Sequence, residues 1–193
     1  YIERFYQGAD IYEYMLRPWG KFHVKGVIWY QGEQNLYKDG DRLGYALKLQ
    51  LLIRDFRELW NEPGLPFFIV QLPPSTYSSR PFNDEHSLPI FLEAQRQVLS
   101  LQFTAMANTA DLGMANGLHQ PQKYEVAMRL ANLAFANVYG FPDAVAAGPQ
   151  YKCHTRQGNK LRVDFETFGS TLTTKDGQPP VFFEILPDGK NQL

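Results

Sequence analysis

Apolar positions along the chain alternate between short strand-like runs and stripes of helical period. Val24, Val27, Ile28, Trp29 and Tyr30 favour a buried strand, and Gly32 lets the backbone turn where that strand ends. Residues 39–60 follow with a helical stripe of Leu49, Leu52, Ile53, Phe56, Leu59 and Trp60. Asp39, Gly40 and Asp41 supply its start, and Asn61, Glu62, Pro63 and Gly64 its stop. Residues 66–72 are almost continuously apolar, which predicts a strand buried on both faces. An aperiodic polar loop to Asn83 comes next. A helix over 88–101 then presents Leu88, Phe91, Leu92, Gln95, Val98 and Leu99 on one face, with Glu93 and Gln95 either near the cleft or on the helix surface. A strand over 104–112 and a helix over about 121–139 complete the alternation. That last helix carries a stripe of Val126, Leu130, Leu133, Ala134 and Val138, and its Glu125 is placed to pair with Arg129 one turn on.

The two ends differ from this middle. Ile11, Met15 and Leu16 predict a packing helix in the first 20 residues, ended by Pro18 and Gly20. After Gly148-Pro149 the period changes to two: Leu161, Val163 and Phe165 share one strand face behind a hairpin-type turn at Gln157-Gly158-Asn159, and another short strand is expected over 181–186. The expected division is therefore an α/β core over 1–148 and a small β-rich appendage over 149–193, since two or three strands are marginal alone.

Composition narrows the function classes. Across 193 residues the formal net charge is −1, so neither a nucleic acid nor an anionic membrane is indicated as a partner. The single cysteine, Cys153, offers neither an internal disulfide nor a metal site, and reads as a small core or surface residue. No apolar run reaches the length of a membrane span. The chain opens at Tyr1 rather than at a methionine, which predicts that the true N-terminus lies ahead of it.

Candidate chemistry collects in two loops. Gln31, Glu33 and Asn35 stand at i, i+2, i+4 directly after an apolar strand, where open α/β sheets place their ligands. On strand and turn alone, a core strand followed by a polar turn is the favoured account of them. His119 lies in a loop immediately before a helix, a place from which an imidazole can be presented at the edge of a sheet; a histidine satisfied by backbone at a helix entry is the alternative.

The segment Gly26-Val27-Ile28-Trp29-Tyr30-Gln31-Gly32-Glu33-Gln34-Asn35 resembles the central block of the sialate O-acetylesterase family of SGNH-type carbohydrate esterases, usually worded GVIWYQGESN, with Gln34 in place of the serine. Pro66-Phe67-Phe68-Ile69-Val70-Gln71-Leu72, Leu92-Glu93-Ala94-Gln95, Asp111-Leu112-Gly113 and the Gly-Pro-x-Tyr junction at 148–151 extend the resemblance over most of the chain. It also reaches Leu118-His119-Gln120-Pro121-Gln122-Lys123, which is similar to the family's I-H-P-x-x-K segment except that Gln120 separates histidine from proline. No carboxylate lies within five positions before His119.

The resemblance implies a three-layer α/β/α SGNH-hydrolase-like core, present in part, and a carbohydrate esterase that removes O-acetyl groups from sialic acid or a related acetylated sugar, with acetylated xylan as the close alternative. It implies His119 as general base, Glu33 as the acid that orients the imidazole with Asp111 as runner-up, and Gln31 with nearby backbone N–H groups as the oxyanion site. Asn35, Tyr30 and Asp111 would contact substrate, and Tyr77, Arg80 and Phe82 would border the cleft. The family's nucleophile belongs to a GQSN block expected ahead of Tyr1, in a serine-bearing N-terminal segment; none of Ser75, Ser78, Ser79, Ser87, Ser100 or Ser170 sits in a nucleophile context. No metal or cofactor is implied, and the family points to an exported or lysosomal protein. Competing readings are a catalytically inactive carbohydrate-binding relative and an accessory scaffold in a larger carbohydrate-processing protein.

Overall fold

The computed structural model of the chain describes residues 9–36, 39–75, 87–115, 117, 119–141, 143–145, 147–174, 176–180 and 183. The expected strand at 181–186 and the loop residues Tyr77, Arg80 and Phe82 lie outside them, apart from Phe183.

Three parallel strands form the central sheet in the order β1-β2-β3: β1 is Val27–Trp29, β2 is Phe67–Val70 and β3 is Thr104–Ala107. Register aligns Val27 with Phe67, and Phe67 with Thr104. The short α1 (Glu33–Leu36) and long α2 (Asp39–Leu59) connect β1 to β2. Helix α3 (Ser87–Gln97), continued by a 3-10 turn at Val98–Ser100, precedes β3, and α4 (Lys123–Asn137) follows it.

Period-two alternation along β2 sorts the core into two layers. Phe67 and Ile69 pack with Tyr45, Leu49 and Ile53 of α2 and Phe91, Ala94 and Val98 of the α3 region. Phe68 and Val70 face the other way, onto Val126, Leu130 and Leu133 of α4. All four β2 residues are buried, which is why the sequence there runs apolar without interruption. The molecule is therefore a three-layer α/β/α sandwich, and fully burying each of its large apolar side chains stabilises it by roughly 1.5–3 kcal/mol.

Four local expectations are corrected. β1 is not buried on both sides: Val27 and Trp29 join the α2/α3 core, but Ile28 is 62% exposed, because α4 packs chiefly on β2 and β3 and leaves that face of β1 uncovered among the described residues. Residues 9–22 do not form a packing helix. They make a π-helical turn (Tyr12–Leu16) and a 3-10 turn (Arg17–Lys21), Pro18 being unable to continue an α-helical ladder, and neither turn has a buried residue. The third strand ends at Ala107 rather than 112, where Asn108 and Thr109 turn the chain. Gln95, placed on an α3 surface or near the cleft, is instead fully buried: its Oε1 accepts from the Leu72 backbone N–H at 2.9 Å and its Nε2 donates to the Val70 carbonyl at 3.5 Å. An amide there satisfies β2 backbone groups exposed where the strand ends.

Beyond the core, β4 (Gln150–Gln157) and β5 (Lys160–Glu166) pair as an antiparallel hairpin around the expected turn, with Gly158 at φ +63°. Val163 and Phe165 are half-buried and Leu161 is exposed, so the predicted strand face is only partly covered. Cys153 is an exposed free thiol on β4. No helix among the described residues is long and apolar enough to cross a membrane.

Candidate active site

All three parallel strands deliver their carboxyl ends to one edge, and the loops that leave them are laced together. Gln71 donates its backbone N–H to the Ala107 carbonyl, and Thr109 Oγ1 donates to the Gln71 carbonyl at 2.5 Å. Further out, Ser75 bridges to Met114 in parallel fashion, the Met114 N–H reaches the Pro74 carbonyl at 3.1 Å, and Ser75 Oγ donates to the Gly117 carbonyl at 2.7 Å. Gly113 makes this closeness possible, because a Cβ there would lie 2.2 Å from the Pro74 carbonyl oxygen. The loop that carries His119 is thereby tied to the exit of β2.

The loop after β1 is built with equal constraint. Gln31 Nε2 donates to Asn35 Oδ1 at 2.8 Å, so the i, i+4 spacing becomes a direct bond across the start of α1. That bond uses one of the two amide hydrogens of Gln31 and leaves the other. Tyr45, on α2, donates its hydroxyl to the Gln31 backbone carbonyl at 2.8 Å and receives the Trp29 indole N–H at 3.4 Å. Burial pushes the Tyr45 phenol above its ordinary range, and the nearby Glu33 carboxylate adds to that, so Tyr45 stays a neutral donor under Gln31. Glu33 itself is half-buried at the first position of α1.

Between Gln31 and Glu33 only glycine fits. Gly32 has φ +155°, and a Cβ on it would stand 2.7–2.8 Å from the ring of Phe91, which is fully buried in the α2/α3 core and cannot yield. Gly32→Ala is expected to lower the denaturant midpoint by the equivalent of about 3 kcal/mol with an unchanged slope, through overpacking and backbone strain. A midpoint within ~0.5 kcal/mol of the parent would show that the turn is not fixed in this way.

The two chemistry-bearing loops meet through Tyr30 and Gln120, 90 residues apart in sequence. The Gln120 side-chain amide is hydrogen-bonded to the Tyr30 hydroxyl, and the Lys123 ammonium stands 4.7 Å from the Tyr30 ring centroid, in cation–π range. Tyr30 immediately precedes Gln31, and Gln120 immediately follows His119. Gln120 is 2% exposed, and its Oε1 is a buried acceptor with no hydrogen-bond partner among the described residues. Leaving such a group unpaired costs about 1–3 kcal/mol. His119, by contrast, is exposed, and among the described residues its ring makes no hydrogen bond.

Asp111, the runner-up acid, is held by α4. Its two carboxylate oxygens accept from Arg129 at 2.6 Å each, a bidentate pair that raises the Arg129 pKa further and anchors the loop after β3 to α4. Arg129 also donates to the Asn108 carbonyl at 2.5 Å. The guanidinium is thus bonded to Asp111, not to Glu125 as its helical spacing suggested; Glu125 contributes only a weaker charge effect. A cavity of about 530 Å³ lies along this pair, lined by Asn108, Asp111, Arg129 and Asn132 with Met106 and Pro149. No three His, Cys, Asp or Glu side chains among the described residues are grouped so as to hold a metal ion.

Reading by sequence missed Tyr45, Gln120 and Lys123. Tyr45 lies on the 39–60 helix outside the stripe named for it, Gln120 registered only as an offset before Pro121, and Lys123 only as the last residue of the family-like segment; none carries a local sign of its long-range contact.

Residues 1–136 match the model of the carbohydrate esterase family described as sialic acid-specific acetylesterase. The human and Pongo abelii sialate O-acetylesterases are each 30% identical over 151 residues, a match that spans 70% of this chain and 28% of theirs. The crystal structure of a carbohydrate acetylesterase from Xanthomonas citri superimposes with a TM-score of 0.79 at 32% identity, over 87% of this chain and 38% of that one. A protein of Arabidopsis thaliana shares the fold, with a TM-score of 0.53 at 23% identity over 72% of this chain and 57% of its own. This chain belongs to the sialic acid-specific acetylesterase family of carbohydrate esterases.

Proposed function

We propose that this chain supplies the base, acid and oxyanion side of an esterase that removes O-acetyl groups from sialic acid, with the nucleophilic serine contributed by another segment of the whole protein. The observation that carries this reading is the Tyr30–Gln120 contact, which brings the Gln31–Glu33 loop and the His119 loop to the same edge of a parallel sheet.

In this mechanism the serine hydroxyl attacks the acetyl carbonyl while His119 takes its proton. The tetrahedral oxyanion is stabilised by the remaining amide hydrogen of Gln31 and by backbone N–H groups, a donor of this kind being worth about 3 kcal/mol of barrier. Collapse breaks the ester bond, and His119 returns the proton to the departing sugar oxygen. Water then attacks the acetyl-serine with His119 again as base; collapse breaks the serine–acetyl bond, His119 returns the proton to the serine oxygen, and acetate leaves. Glu33 holds the imidazole in the tautomer that can accept at the reacting nitrogen. An exported or lysosomal location goes with this substrate.

The test is acetate release by the whole protein from O-acetylated sialic acid and from acetylated xylan. Faster release from the sialic acid is the expected result; faster release from xylan moves the substrate to plant polysaccharide, and release from neither overturns the esterase reading. One observation favours a second reading, that of an inactive carbohydrate-binding relative: His119 has no carboxylate bonded to it among the described residues. That protein would bind the sugar without releasing acetate.

A further inference from the structure

Resting on the reading of His119 as general base, we infer that Gln120 is a positioning residue that sets where this histidine stands. His119 is exposed and its ring has no hydrogen bond among the described residues, so its position is inherited from its neighbours in the chain. Gln120 is the anchored one: its side chain is buried and reaches the hydroxyl of Tyr30, the residue that opens the Gln31–Glu33 loop. Three residues on, Lys123 at the start of α4 closes over the same Tyr30 ring. The His119 loop is therefore gripped from one side by a single aromatic residue of the opposite loop.

An apolar side chain would fill the Gln120 site without leaving a buried carbonyl oxygen unpaired, so packing alone does not call for an amide there. The amide is suited to fixing a distance. Gln120 also stands at the point where this chain departs from the family's histidine-proline pairing.

The experiment uses the whole protein, with active sites counted by labelling to completion with a fluorophosphonate and kcat expressed per labelled site. Gln120→Ala is expected to lower per-site kcat for acetate release by about 30-fold with KM changed less than twofold, the size of effect that follows a small misplacement of a reacting group. Tyr30→Phe removes the other end of the same bond and is expected to match it, and the double variant to fall no further, because both substitutions delete one interaction. Unchanged per-site kcat in Gln120→Ala, with only the labelled fraction or the Tm reduced, would overturn the inference, as would losses that multiply in the double variant. Should Gln120→Ala not fold, Tyr30→Phe decides, and parent-like per-site kcat there overturns it. Activity retained in His119→Ala removes the base assignment itself, whereas activity lost there but intact per site in the Gln120 and Tyr30 variants removes only this inference.

Discussion

Replacement of His119 by alanine is expected to reduce kcat/KM for acetate release by the whole protein at least ~10⁴-fold, while leaving its folding intact. The two halves of that expectation have separate causes. An unassisted serine hydroxyl is a weak nucleophile at neutral pH, and loss of the base from such a constellation removes nearly all of the rate that the constellation supplies. Folding is spared because the imidazole is exposed and bonded to nothing among the described residues, so its removal opens no cavity and orphans no partner. Kinetics and a thermal melt on one preparation check both halves. A loss of activity accompanied by a large fall in Tm would point to a structural role, and retained activity would place the base elsewhere.

Glu33→Gln is the second large effect expected, a fall in kcat of about 10³–10⁴-fold with little change in KM. The substitution preserves size and a hydrogen-bonding head but removes the charge, and a neutral amide in this place can fix the wrong imidazole tautomer. Glu33 is the better candidate of the two acids because of what surrounds them. Asp111 is engaged by both arms of Arg129 and braces α4, whereas Glu33 opens α1 next to Gln31, on the loop that Tyr30 joins to the residue following His119. A Glu33→Gln enzyme within tenfold of the parent would exclude it as the orienting acid.

Much of the fold was legible because its signals are local. The uninterrupted apolar run at Phe67–Val70 announced a strand covered on both faces, and the stripes of α2 and α4 named the residues that do the covering. The hairpin at Gly158 followed from a glycine in a turn between period-two segments. The site was legible only as two separate loops. What joins and supports them depends on residues whose partners lie far off in sequence: Gln120 with Tyr30, Gln95 with the backbone of Val70 and Leu72, Tyr45 with Gln31. Helical spacing even favoured the wrong partner for Arg129, because a four-residue offset permits an ion pair with Glu125 while Asp111 offers two oxygens in the planar geometry a guanidinium prefers. Exposure of Ile28 was hidden for a similar reason: strand propensity reports what a residue suits, not how far the opposite helix layer extends.

The most direct test of the account is fluorophosphonate labelling of the whole protein, with the modified residue mapped by mass spectrometry and the rate compared between the parent and His119→Ala. The account predicts one labelled serine in the parent, outside residues 1–193, and labelling slowed by at least ~10²-fold without His119. Labelling at the same rate in both proteins, or none in the parent, would contradict it.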